Sequence, residues 1–177
     1  MKTLIKSGMA MLATCLIMLF SCKKGDTGPA GPAGTANVIY SNWMDTNPWV
    51  ASTTSTGSGK KTYYFDIAAP KVTQEIIDKG TVLVYVQFVA DPDGPGISKL
   101  LPSIYYNFGG ANEQYRFQTG LFLNKIRVIC DIIPSGIPST ANKLRYLIIP
   151  GGVPNARKAD YTRMSYEEVC RMLKIEP

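Results

Sequence analysis

Histidine is absent from all 177 residues. That removes the commonest general base near neutral pH and the commonest transition-metal ligand. Serine–histidine–acid and cysteine–histidine nucleophiles are excluded with it; paired carboxylates or a Ser–Lys pair are not. Charge is sparse: 18% of residues carry it, and the net +6 has no cluster beyond Lys23-Lys24 and Lys60-Lys61. A nucleic-acid surface needs a concentrated basic face, so no nucleic-acid partner is expected. Cysteine occurs only four times, and two cysteines without histidine make a poor zinc site. Neither a metal nor another cofactor is expected. Gly109-Gly110 and Gly151-Gly152 read as turns, since neither opens a helix that could cradle phosphate.

What is present begins with Leu19-Phe20-Ser21-Cys22. The n-region, Met1 to Lys6, holds two lysines and no acid, and an apolar run extends from Met9 to Phe20. This run is too short for a spanning helix of ~20 apolar residues. A basic start, a short apolar middle and a small residue at the cut site define a signal peptide. The aliphatic Leu19 and the small Ser21 before Cys22 mark a lipoprotein signal, residues 1–21, with the Cys22 thiol as the acylated nucleophile. Two other readings are open: an ordinary signal peptide, or acylation at Cys15 behind Leu12-Ala13-Thr14, where the apolar run is shorter and threonine fits the cut site poorly. Two or three acyl chains at ~0.8 kcal/mol per buried methylene hold a protein on a bilayer durably.

Residues 22–36 carry four Gly-X-Y triplets, Gly25-Asp26-Thr27 through Gly34-Thr35-Ala36. Glycine at every third position is the requirement of a collagen triple helix. Four triplets are few to order three chains, so the segment reads as a semi-rigid spacer, with a weak homotrimer through the stub as the alternative.

From Asn37 to Pro177 the composition shifts to aromatic and β-branched runs bounded by Gly, Pro and Asn. Period-two alternation in short runs predicts a mainly β domain, antiparallel and sandwich-like, with one internal and one C-terminal helix; a partly open barrel fits the pattern equally, because strand order is not readable from one chain. Strands are expected at Val38–Met44, Trp49–Thr53, Lys61–Ile67, Thr81–Val89, Lys99–Phe108, Gln114–Phe117, Leu121–Asp131 and Leu144–Ile149. In Lys61–Ile67, Tyr63, Phe65 and Ile67 share a face. In Leu121–Asp131, Phe122, Ile126, Val128 and Cys130 do. Thr81–Val89 is apolar on both faces, Val82, Val84, Val86 and Phe88 on one and Leu83 and Tyr85 on the other, which predicts a central strand covered on both sides. Val72–Lys79 reads as a helix with Thr73 as N-cap and Gly80 as its stop. Ser165–Leu173 reads as a second, opened by a Ser165/Glu168 capping box and docked through Val169, Met172 and Leu173, with Cys170 beside them. Asp91-Pro92-Asp93-Gly94 has two aspartates spaced as in a calcium loop, but the twelfth position is Pro102 rather than glutamate; a proline-directed turn is expected.

The stretch Gly34-Thr-Ala-Asn-Val-Ile-Tyr-Ser-Asn-Trp43, the helix Thr73-Gln-Glu-Ile-Ile-Asp-Lys-Gly80 followed by Thr-Val-Leu-Val-Tyr85, Leu144-Arg-Tyr-Leu-Ile-Ile-Pro-Gly-Gly152 and Met164-Ser-Tyr-Glu-Glu-Val-Cys170 resemble a family of Bacteroidota-type lipoproteins with a collagen-like stub. The resemblance implies a location, the outer membrane of the cell envelope, and a β-rich domain, and no activity. Lys23-Lys24-Gly25-Asp26 lacks the acidic residues that some surface lipoproteins of that phylum carry after the cysteine, so the membrane face, periplasmic or external, is left undecided.

The function read from these features is display of a non-catalytic β-domain on a bilayer anchor, for binding or envelope structure. A glycan or an envelope protein is the expected partner, with Trp43, Trp49, Tyr64 and Tyr105 as candidate stacking residues. An adhesin belongs to the same reading. A carboxylate-based glycoside hydrolase drawn from Asp66, Asp91, Asp93, Glu113 and Asp131 is the enzymatic alternative, although their spacing selects no pair. Cys130 and Cys170 would lie in an oxidising compartment where a disulfide is allowed; two buried free thiols are the favoured reading. Replacing Cys22→Ser is expected to move the protein from the membrane fraction to the soluble fraction, and a variant that still sediments with membranes would overturn the anchor.

Overall fold

The computed structural model describes residues 38–177, apart from 55, 56, 58, 109 and 152–158. The signal peptide, Cys22 and the Gly-X-Y segment lie outside the described residues. In chain order the elements are β1 (Ile39–Tyr40), β2 (Met44–Asp45), β3 (Val50–Ala51), β4 (Lys61–Ala68), α1 (Gln74–Lys79), β5 (Thr81–Gln87), β6 (Ser98–Leu100), β7 (Ser103–Tyr106), β8 (Gln114–Phe122), β9 (Lys125–Ile133), β10 (Lys143–Ile149), a 3₁₀ turn (Tyr161–Arg163) and α2 (Tyr166–Leu173). They build an antiparallel β-sandwich. One sheet runs β1-β10-β5-β6, with β2 also pairing β10; the other runs β3-β4-β9-β8-β7.

Strand β5 explains the layering. Val84 and Val86, with Phe88 just past the strand, face the second sheet, where Ile67, Phe117, Ile126, Val128, Cys130 and Ile132 meet them in one buried core. Leu83 and Tyr85 face the other way and join Leu147, Ile149 and the α2 residues Tyr166, Val169 and Cys170 in a second. Each fully buried Val, Leu, Ile or Phe contributes ~1.5–3 kcal/mol, so both layers are held by alternate residues of one strand. The central, doubly covered position expected for this run is the observed one.

Both helices begin where local chemistry places them. The Thr73 side chain accepts from the Ile76 N–H. Ser165 Oγ accepts from the Glu168 N–H while Glu168 accepts from the Ser165 N–H, a complete capping box. The buried stripe of α2 is Tyr166, Val169 and Cys170, with Leu173 partly covered. Met172, expected in that stripe, is exposed, because it falls off the i, i+3, i+4, i+7 row that starts at Tyr166.

Three expected strands are divided. In Val38–Met44, Ser41 N–H donates to the Tyr146 carbonyl at 3.1 Å and Ser41 Oγ accepts from the Tyr146 N–H at 3.1 Å. The serine side chain thus takes a ladder bond, and β1 and β2 pair β10 separately. Lys99–Phe108 is split at Leu101-Pro102, where the chain leaves the first sheet for the second; proline has no N–H to extend a ladder. Leu121–Asp131 is two strands, because Leu123-Asn124 makes a two-residue hairpin between paired Phe122 and Lys125. Asn124 takes φ 61°, a left-handed conformation that asparagine tolerates. Phe122 is therefore exposed, whereas Ile126, Val128 and Cys130 are buried.

Cys130 and Cys170 are free and buried. The disulfide alternative is not taken, since the two thiols sit in different cores with the first sheet between them. Burial pushes both thiols above the ordinary cysteine value, which keeps them protonated and slow to react. Neither should react with an aromatic disulfide reagent in the native protein at neutral pH, and both should react once guanidinium unfolds the chain. Rapid native labelling of either would contradict the packing.

Candidate functional site

The loops β5–β6, β7–β8 and β9–β10 meet at one end of the sandwich and enclose a cleft of about 300 Å³, the lower end of the range for ligand pockets. Val89, Ala90 and Pro92 form one wall; Tyr106, Asn107 and Phe108, with Tyr115 of β8, form the second; Ile137 and Ser139 form the third. Val89, Tyr106 and Ile137 are exposed on its rim.

Each wall has a local cause. Phe108 packs edge-on against Phe88 at 5.6 Å and Tyr115 at 5.4 Å between ring centroids. Asn107 adopts φ 55°, its N–H donates to the Glu113 carbonyl at 2.7 Å, and its Oδ1 accepts from the Asn112 N–H at 2.9 Å. Tyr115 OH donates to Glu113 Oε2 at 3.3 Å. The third wall lies flat on Tyr115 because residue 136 is glycine: a Cβ there would stand 2.6 Å from the Tyr115 hydroxyl and 3.0 Å from Ile132 Cγ2. The Ser139 carbonyl accepts from Thr46 Oγ1 at 2.9 Å and Trp49 Nε1 at 3.0 Å. Asn142 Oδ1 accepts from the Val89 N–H at 3.1 Å. These bonds tie the third wall both to the first and to the β2–β3 connection.

Lys99 braces the first wall from behind. Its ammonium donates to Asp91 Oδ1 at 2.8 Å and to Asp93 Oδ2, and it lies 5.1 Å from the Tyr105 ring centroid. The Asp91 side chain is fully buried. Burial draws the lysine down, but the bonds to Asp91 and Asp93 more than offset it and leave Lys99 above its ordinary value. The ammonium thus stands between the two aspartates that resemble part of a calcium loop.

The proposed stacking residues are not brought together. Trp49 packs against Phe65 and Phe117 at 6.0 and 6.4 Å, and Trp43 against Tyr166 at 5.6 Å on the far side of the first sheet. Tyr105 is 9% exposed; its neighbour Tyr106, at 74%, is the outward ring of the pair. Inward and outward residues alternate along a strand, and the phase of β7 decides which tyrosine is presented. Tyr64 lies on the outer face of the second sheet beneath Arg127, 3.9 Å from its ring centroid. It lines a polar hollow of about 310 Å³ with Gln118, Asp131 and Ile129. Arg127 grips Asp66 through two bonds, at 2.6 and 2.8 Å, which hold that carboxyl below its ordinary value. The pair Tyr105-Tyr106 is a candidate stacking surface in sequence, with one ring expected to face outward; nothing local marks Phe108 and Ile137, which lie on loops that converge.

The carboxylates considered for hydrolysis serve elsewhere. Asp66 pairs across from Arg127 and Asp131 from Thr62, so the two are four residues apart along the ladder, ~13 Å. Asp91 and Asp93 share Lys99, and Glu113 takes the Tyr115 hydroxyl. Among the described residues no group of three His, Cys, Asp or Glu could hold a metal ion, and no helix is long and apolar enough to cross a membrane.

Comparison with known proteins returned no matching family model, no matching curated protein and no matching solved structure.

Replacing Lys99→Met leaves Asp91 buried and charged with the Asp93 N–H as its remaining donor. A loss of about 2–3 kcal/mol at neutral pH is expected in urea unfolding. Because the folded lysine value is raised, this contribution is complete below the unfolded value of ~10.4 and disappears as the pH climbs through the folded one. The gap between wild type and variant should therefore narrow above about pH 10.

Proposed function

We propose that this chain is a bilayer-anchored lipoprotein of the bacterial envelope, acylated on Cys22, whose non-catalytic β-sandwich binds another envelope protein through the loop-end cleft. The observation that carries this is the polarity of the sandwich. Val38 leads into β1, whose Ile39 pairs with Ile148 and lies level with Val82 at the start of β5. The cleft lies at the opposite end, past Gln87 of β5, Tyr106 of β7 and Ile133 of β9. An N-terminal tether therefore enters the domain at the end opposite the cleft.

The lining favours a protein segment over a sugar. Val89 and Ile137 put aliphatic surface on the rim beside Tyr106, and clustered exposed apolar residues mark protein contact sites. Tyrosine at the centre of such a patch is a frequent energetic anchor. A glycan would need several convergent side-chain donors and acceptors. Besides the Tyr106 and Tyr115 hydroxyls, the latter bonded to Glu113, Asn107 and Ser139 supply the polar groups of the described walls, and the Ser139 carbonyl already accepts two bonds.

A photo-crosslinking residue at Tyr106, expressed in the lipidated protein on cells, is expected to give a discrete protein adduct. Val89→Asp and Ile137→Asp together should abolish the adduct and, with the purified partner, weaken binding at least tenfold, about 1.4 kcal/mol. Both sites are exposed, so folding stability should move by no more than ~0.5 kcal/mol for each. An adduct unaffected by both aspartates, or none at all, would overturn the assignment of the cleft.

A further inference from the structure

The β8–β9 hairpin ends in three consecutive exposed apolar residues, Leu121 at 36%, Phe122 at 46% and Leu123 at 58%. Alternation should bury at least one of a strand pair. Here neither side is covered, because β8 outruns the core: Tyr115 and Phe117 are buried, whereas Thr119 and Leu121 in the same phase are exposed. Leu121 thus faces water on the inner side of the hairpin and Phe122 on the outer side. A run of three exposed apolar residues in a soluble sandwich is unfavourable unless something covers it.

The base of this tip is firmly held. The Asn124 carbonyl accepts from the Ala69 N–H at 2.9 Å, and the Asn124 N–H donates to the Val72 carbonyl at 2.9 Å. Cations collar the apolar residues. Lys125 Nζ lies 4.8 Å and the Arg127 guanidinium 5.4 Å from the Phe122 ring centroid. Both bond Asp66. Lys71 is exposed in the segment bonded to Asn124, and α1 adds Glu75, Asp78 and Lys79. Four cations face three carboxylates, a mild excess of the sign that anionic headgroups attract.

Position selects the occupant. The hairpin tip lies level with Ala68, which pairs Lys125. From Ala68 the chain runs through α1 to Thr81, beside Ile149, so the tip shares an end of the sandwich with Val38, where the chain comes in. The preceding segment, Cys22 to Asn37, is sixteen residues long, at most about 58 Å of chain at ~3.3–3.6 Å per residue. We infer that Leu121, Phe122 and Leu123 dock into the interfacial layer of the same bilayer that holds the acylated Cys22, with Lys71, Lys125 and Arg127 at headgroup level. This rests on the anchor reading above. The hairpin would then act as a second foothold and set the orientation of the cleft instead of leaving the domain free to swing.

The test uses the mature lipidated protein, purified in detergent and reconstituted into vesicles of phosphatidylethanolamine and phosphatidylglycerol. Leu123→Cys supplies a reactive thiol, while Cys130 and Cys170 are buried and Cys22 is acylated; Ile137→Cys supplies the control at the opposite end. Each variant carries an environment-sensitive fluorophore. The expected result is a blue-shifted emission at 123, quenched several-fold more than at 137 by a lipid bearing a quencher near its headgroup. Emission at 123 that stays aqueous while the protein sediments with the vesicles would overturn the docking and leave the anchor standing. A blue shift that grows with protein density but is blind to the lipid quencher would assign the tip to a second copy and overturn it too. A chain that carries no acyl group and stays in the supernatant would overturn the anchor and, with it, this inference.

Discussion

Everything in this domain depends on one sheet being apolar on both faces. β5 and β10 carry side chains into two separate cores, one shared with the second sheet and one closed by α2. Strands buried on both sides read as near-continuous hydrophobic runs, and Thr-Val-Leu-Val-Tyr-Val is such a run. If either cover were lost, half of these residues would face water. The short C-terminal helix thus covers one face of this sheet as the second sheet covers the other.

The polar groups inside this arrangement are placed by the same layering. Arg145, on β10 between the first sheet and α2, is buried. It donates to the Ser41 carbonyl at 3.0 Å and to the Tyr166 hydroxyl, and lies 4.9 Å from the Tyr40 ring centroid. A buried charge is tolerated only when donors and rings replace its water. That requirement links β1, β10 and α2 through a single side chain. Lys99 does the corresponding work at the loop end, where Asp91 is the buried charge. The two ends of the sandwich consequently differ: one is a cleft with pinned walls, the other a projecting apolar hairpin.

Much of this was legible from local pattern. The two faces of β5, the inward set Tyr63, Phe65 and Ile67, the Thr73 cap and the Ser165/Glu168 box all follow from residues within a few positions of one another, and all are observed. Errors arose where one residue's hydrogen bond overrode a run. Ser41 broke the first strand by bonding Tyr146, distant in sequence, and Asn124 turned a run that hydrophobicity alone read as continuous. The aromatic residues were harder. Trp49 looks like a stacking platform in sequence, but its indole N–H is used on Ser139, ninety residues away.

By itself, the sequence determined the mainly β character, the two helices and their caps, the doubly buried strand and the exclusion of histidine-based chemistry. Those properties depend on composition and short-range periodicity, which a chain carries unfolded. Only the tertiary structure decided that Tyr106 rather than Tyr105 faces out, that Lys99 fills the Asp91-Asp93 turn, that three loops close a cleft, and that the N-terminal end and the Leu121–Leu123 tip coincide. These are consequences of strand order and register, which are set when distant segments compete for the same buried surface, and no local stretch encodes the outcome of that competition.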